Sequence, residues 1–193
     1  VPNFLFINNG DGTFIEDALT RAVGYSGEGL EQAGMGVDAG DIDADGHPDV
    51  VVTNFSHDHT TLYWNQGQGF FADASYRLGV AKNSYFTLSW GTRFVDLDAD
   101  GALDLFIANG HIYPQVDDVV PECRYAEPNH VFLNDGSGKF QLQEGLGLPS
   151  YSSRGAASGD YDNDGDLDLA VIGQISDNNQ AALTIYRNDP VGV

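Results

Sequence analysis

An all-β architecture of repeated four-stranded antiparallel sheets is predicted by three features of the 193-residue chain. An acidic pattern, D-x-D-x-D-G-x-x-D, occurs three times. Each copy runs directly into a short, β-branched apolar stretch, the mark of a buried strand. A second motif alternates with the first and reads as an apolar strand, an Asn/Gly turn and a further strand opened by Phe, which is a hairpin signal.

The acidic copies are Asp41–Asp49, Asp96–Asp104 and Asp160–Asp168. Identical offsets therefore carry Asp41, Asp43, Asp45 and Asp49, then Asp96, Asp98, Asp100 and Asp104, then Asp160, Asp162, Asp164 and Asp168. Alternate carboxylates on a tightly turning chain, with glycine at the sharpest bend, form a cage of hard oxygen ligands suited to Ca²⁺. The ninth-position Asp is expected to close the cage bidentately. The carbonyls of His47, Ala102 and Leu167 are expected as backbone ligands, by analogy with the EF-hand loop. Solvated acidic turns would account for one copy. Three copies with the same offsets, each feeding a strand, favour three Ca²⁺ sites.

An EF-hand is excluded by the residues that follow. Its twelfth position requires a bidentate Glu on an exiting helix, whereas Val52, Ile107 and Val171 stand there. The stretches after the loops, 49–54, 104–109 and 168–173, read as strands closed by Asn or Gly.

The second motif occupies Leu5–Phe14, Leu62–Phe70 and Val131–Phe140, with a truncated copy at Leu183–Asp189. Strand, acidic loop, strand and hairpin make units whose acidic loops start 55 and then 64 residues apart. That spacing and strand count point to propeller blades. The chain divides into a terminal half-blade and linker (1–34), a blade (35–87), a blade with a long insertion at 110–129 (88–153) and a partial blade (154–193). Strands of the first full blade are expected near 36–41, 49–54, 61–64 and 69–74. About three blades fall short of the 4 to 8 of closed propellers, so the ring is expected to be incomplete and its open edges to invite self-association.

Paired in this way, the two motifs resemble the FG-GAP/VCBS repeat family, whose blades also build the integrin α-subunit head. Gly159–Asp168 and Asn8–Phe14 are most similar to the bacterial branch related to cartilage acidic protein. The resemblance covers nearly the whole chain and implies a calcium-stabilised β-propeller with the four Asp of each loop as ligands. It also implies a role among adhesion, recognition and carbohydrate-active enzymes.

Composition narrows the partners. Hydrophobic residues at 41% and aromatics at 11% suffice for a folded core. The formal charge is −21, with only eight Lys and Arg. Three Ca²⁺ would offset six of those charges and leave the protein strongly anionic. Nucleic acid and anionic membrane surfaces are therefore disfavoured, because both need clustered cations. Cys123 is the only cysteine, so no intrachain disulfide forms and calcium takes over as the local staple. Loops of this kind stay filled in extracellular calcium, which suits a secreted or cell-surface protein. No stretch approaches the ~20 apolar residues of a membrane span.

A meander places the acidic loops and the hairpin turns on one face and the remaining connections on the other. Gly110 to Asn129 is the longest connection of that other face and carries His111, Tyr113, Arg124 and Tyr125. Long loops in compact domains are usually functional, so a protein or carbohydrate ligand is expected there. His57-Asp58-His59 lacks a third ligand for a transition metal, and Cys123 with His111 lacks an orienting partner for catalysis. Trp64, Trp90 and the hairpin Phe and Tyr are expected in the core between blades. Asn54-Phe55-Ser56 matches a glycosylation acceptor, relevant only in a eukaryotic secretory route. The expected function is a non-catalytic extracellular recognition, adhesion or structural module. Alternatives are a carbohydrate lyase or hydrolase on the same scaffold, or a subunit of an extracellular assembly.

Overall fold

A computed structural model describes residues 1–175 and 180–189. A hairpin of β1 (Phe6–Asn8) and β2 (Phe14–Glu16) precedes three larger sheets. The first runs in the order β3 (Gly36–Gly40), β4 (Asp49–Thr53), β5 (Thr61–Asn65), β6 (Phe71–Asp73). The second repeats that plan with β7 (Ser89–Val95), β8 (Asp104–Asn109), β9 (His130–Asn134) and β10 (Phe140–Leu142). The third has three described strands, β11 (Ser152–Gly159), β12 (Asp168–Ile175) and β13 (Gln180–Tyr186). All pairings are antiparallel between neighbours, the meander of a propeller blade. Two single-turn helices, α1 (Ala81–Ser84) and α2 (Val116–Val119), lie in connections and were not foreseen from sequence. Four residues carry too little periodicity to register as a helix.

Strand periodicity explains how the blades stack. Successive side chains of a strand face opposite ways, and the second strands of the two full blades pack apolar residues on both faces. Val51 joins a core between the first two full blades with Leu62, Leu105, Ile107 and Phe132, whereas its neighbour Val52 turns to a core with Ala18, Val23 and Tyr63. In β8, Leu105 and Ile107 face that same inter-blade core, while Phe106 and Ala108 face a further one with Leu169 and Val171. All six residues of β8 are buried. The apolar run of β8 is thus continuous because both of its faces meet another blade.

Inner strand β7 packs between β3 and β11. Gly91 permits this approach, since a Cβ there would stand 2.7 Å from the backbone nitrogen of Ala156. It sits at a register shift in the β7–β8 pair, where a bulge lets one strand bend toward its neighbour.

Among the described residues both ends of the arc are open. In the N-terminal hairpin Phe6 and Phe14 are 61% and 58% exposed, which corrects the expectation that every hairpin aromatic lies between blades. Two strands alone cannot cover both of their faces. At the other end, β12 buries Val171 but leaves Ile172 half exposed, and β13 exposes Leu183. Phe70 of the next hairpin is likewise 45% exposed, whereas Tyr63, Phe132 and Phe140 are buried as expected.

The acidic loops and the opposite face

Each loop folds around its first Asp. Asp41 accepts the amides of Asp45 (3.1 Å) and Gly46 (2.8 Å), and Asp160 accepts those of Asp164 and Gly165. Asp96 accepts the Gly101 amide at 3.0 Å. A short carboxylate here takes over backbone donors four and five residues on and closes the loop around itself. The bend needs positive φ at position six, filled by Gly46, Gly101 and Gly165. Position four also adopts positive φ, as Ala44, Ala99 and Asn163. Asn tolerates that region and Ala does so at a cost, so only the third copy betrays it in sequence.

Asp45, Asp100 and Asp164 each accept the amide two residues on, from His47, Ala102 and Asp166. This pattern corrects the backbone ligand expected in the third loop. Asp166, not Leu167, occupies the place of His47 and Ala102, because Leu167 is one residue too far along.

Carboxylate oxygens converge in all three loops. Asp41, Asp43 and Asp45 bring one oxygen each within 4.8 Å of one another, as do Asp96, Asp98 and Asp104, and Asp160, Asp162 and Asp168. Each loop also holds a buried carboxylate oxygen with no hydrogen-bond partner, on Asp43, Asp96 and Asp162 respectively. An acceptor hidden from water and unpaired is costly. An all-oxygen donor set of this kind fits a hard divalent cation.

The ninth Asp does more than face the loop. Asp49 accepts Ile42 N–H (3.1 Å) and Asn65 N–H (2.7 Å). Asp104 accepts Leu97 and Asn134 (both 2.9 Å), and Asp168 accepts Tyr161 and Asn188. Each therefore ties its loop to the Asn at or just beyond the end of the third strand of its blade. Burial pushes the Asp49 and Asp104 carboxyls up to about 6 against these donors, with neighbouring loop carboxylates adding repulsion. At Asp168, itself buried, the Asn188 and Tyr161 amides outweigh desolvation and hold the carboxyl below its ordinary value.

The residue before that Asn reaches the third-position Asp. Trp64 Nε1 donates to Asp43 at 2.9 Å. In the third unit Arg187 takes this role, with Nε 2.9 Å from Asp162 and a second nitrogen 3.4 Å from Asp164. Sequence reading missed the hairpin Asn and Arg187, although the recurring Asn65, Asn134 and Asn188 were the available signal.

On the opposite face the long connection is largely tied down. Val116, Cys123 and Tyr125 form a small core, Tyr125 donates to Gln174 at 3.0 Å, and Glu127 accepts the Leu88 amide at 2.9 Å. Tyr125 is therefore buried structure rather than a contact residue, while Tyr113 is 58% exposed. Beside it, Phe55, His57, His111 and Val119 help line an open recess of about 480 Å³. Asn54 is 1% exposed and its amide donates to His59 O at 2.7 Å, so the folded protein cannot present it for glycosylation. His57 packs against Tyr85 and Phe86, whereas His59 is buried near Asp58 and Asp73, so the two do not share a site.

Loops that lead into buried second strands, followed by Asn-ended hairpins, define a repeat protein of propeller blades. The FG-GAP-like repeat model matches residues 2–52, 41–107 and 116–171, and the chain belongs to that family. It is 30% identical over 176 residues to cartilage acidic protein 1 of Xenopus tropicalis, and 28% identical over 174 residues to the proteins of that name from Homo sapiens and Mus musculus. These alignments take in 88% of this chain but only 24 to 25% of each relative, so the chain spans about a quarter of their length. Among solved structures, a lectin of Agrocybe aegerita described as recognising non-reducing terminal N-acetylglucosamine aligns with TM-score 0.45 and 20% identity. That alignment covers 97% of this chain and 47% of the lectin. Among the described residues no helix is long and apolar enough to cross a membrane.

Proposed function

We propose that this chain is a calcium-stabilised extracellular recognition module whose acidic loops hold Ca²⁺ on one face and whose opposite face meets a protein or carbohydrate ligand. The observation that carries the calcium reading is the buried, unpartnered carboxylate oxygen present in every loop, on Asp43, Asp96 and Asp162. Bound calcium would neutralise the clustered carboxylates and fix each loop, and through Asp49, Asp104 and Asp168 it would lock the hairpin Asn beside it. Arg187 already pairs with Asp162 and Asp164, which makes the third loop the weakest of the three sites.

Recognition is assigned to the recess around Tyr113 because it combines aromatic walls with an open mouth, the usual character of a small-ligand site. His57 and His111 lie in its lining, which includes no carboxylate. Glycoside hydrolysis by a carboxylate pair has no partners there, and we favour binding over catalysis. Exposed calcium-loop proteins of modest affinity work where calcium is abundant, hence the extracellular assignment. The test is binding of the calcium-loaded protein to an array of immobilised glycans and matrix proteins, beside Tyr113→Ala. Loss of a wild-type signal in that variant supports the recess. A signal unchanged by Tyr113→Ala but lost on altering the 135–138 turn would place the binding face on the calcium side.

A further inference from the structure

We propose that Glu28, His59 and Asp73 form a transition-metal site, with Zn²⁺ as its ion, on the face away from the acidic loops. The three residues come from separate segments: Glu28 from the link between β2 and β3, His59 from the β4–β5 connection and Asp73 from the end of β6. One ligand atom of each lies within 4.8 Å of the other two.

The second, independent observation is the imidazole itself. The His59 side chain is 7% exposed, and its Nε2 is buried without a hydrogen-bond partner. It points toward Asp73 Oδ2 at 3.9 Å, too far for a hydrogen bond. Around a zinc ion with bonds of 2.0–2.2 Å, tetrahedral ligand atoms sit about 3.4 Å apart, so this separation need close by only about half an ångström. A nitrogen and two carboxylates form a donor set for zinc with a fourth position left open. Because imidazole suits zinc and its neighbours in the first transition row whereas calcium takes oxygen alone, the site differs in kind from the acidic loops.

The surroundings hold these ligands in place. Asp73 Oδ1 accepts from the Ser75 amide (3.0 Å) and hydroxyl, and Oδ2 accepts the Gly27 amide at 2.8 Å. That last bond anchors the residue next to Glu28. The other ring nitrogen of His59 faces Asp58 at 3.7 Å, and Asp58 is held by Gln32 Nε2 at 2.8 Å. Gln32 in turn accepts from Thr61 Oγ1 at 2.8 Å. At 3.7 Å the Asp58 carboxylate lies just beyond hydrogen-bond reach; an approach of about half an ångström on metal binding would let it orient the histidine. The ion would clip the inter-blade link onto the outer edge of the first full blade.

The test is zinc binding by competition with a chromophoric chelator, with calcium in large excess so that the acidic loops are filled. One equivalent of Zn²⁺ per wild-type chain is expected, lost in His59→Gln and weakened at least tenfold in Glu28→Gln. Glu28 is exposed, so its variant folds even where His59→Gln does not. Cobalt substitution of the wild-type chain should give the intense visible absorption of a tetrahedral ion. No zinc bound by the wild type, or equal zinc bound by wild type and Glu28→Gln, would overturn the site and leave His59 and Asp73 as a buried acid–base pair.

Discussion

The side-chain amide of Asn134 donates to the carbonyl of Ile42 at 2.8 Å, joining the end of one blade's third strand to the acidic loop of the blade before it. Asn188 repeats the contact one blade on, donating to Leu97 O at 2.7 Å. Ile42 and Leu97 are both the second residue of an acidic loop. The same Asn residues are gripped from behind by Asp104 and Asp168. A loop is therefore linked to its own hairpin by the ninth Asp, and to the next blade by that blade's Asn.

Asn134 is buried, also donates to Leu103 O, and accepts the Gly136 and Gly138 amides. Asn134→Ala strands several backbone groups at once and should cost about 2–4 kcal/mol. That is a fall of roughly 6–12 °C in melting temperature for a chain of this size. Asn188→Ala, in the terminal unit, should cost less. Equal, negligible losses in calorimetric melting would show that the inter-blade bond is incidental.

Glu127 gives a pH dependence with a definite sign. Burial pushes its carboxyl from 4.5 to about 7, so the folded chain keeps a proton that the unfolded chain releases. Its contribution to stability is full below about pH 4.5 and is lost as pH rises through about 7. Glu127→Gln stays neutral and can still accept the Leu88 amide. The variant should gain on the order of 1–3 kcal/mol over wild type between pH 5 and pH 8. Urea unfolding at both pH values, in calcium, checks this. A difference between variant and wild type that does not change with pH contradicts it.

The open arc should associate. Among the described residues strand β13 pairs with β12 on one side only, and it exposes Leu183 and Ile185. At the other end an apolar groove of about 750 Å³, bordered by Phe4, Met35 and Val37, lies between the N-terminal hairpin and the first full blade. Unpaired, apolar edges recruit further strands. Light scattering in calcium should show a mass that rises above one chain with concentration, and Leu183→Lys should reduce it. A single-chain mass at every concentration would mean that the edges are adequately covered.

The blade plan was legible because its signals are local. Asp-Gly turns, the runs 49–53 and 104–109, and Asn/Gly hairpins each announce themselves within ten residues. What escaped depends on distance or context. Asn134 and Ile42 meet across blades, 92 positions apart in sequence. Glu28, His59 and Asp73 converge from three segments, so His59 beside His57 looked like a pair lacking a third ligand. Phe6 and Phe14 follow the core pattern yet lie exposed, because periodicity reports which face a side chain takes and not whether another sheet covers it. Tyr125 looked like a contact residue in a polar loop, and only the position of Gln174 in β12 shows why it is buried.

The most direct test of the calcium account is the melting temperature of the wild-type chain and of Asp98→Ala, each in excess calcium and in EGTA. With free calcium about 100-fold above the dissociation constant, each independent site adds about 2.7 kcal/mol. The wild-type midpoint should therefore rise substantially with calcium. Asp98→Ala, lacking one ligand of the second loop, should show a smaller rise and a lower midpoint in calcium. A wild-type midpoint that is the same in calcium and in EGTA would contradict the account, leaving the three loops as acidic turns held by their own backbone.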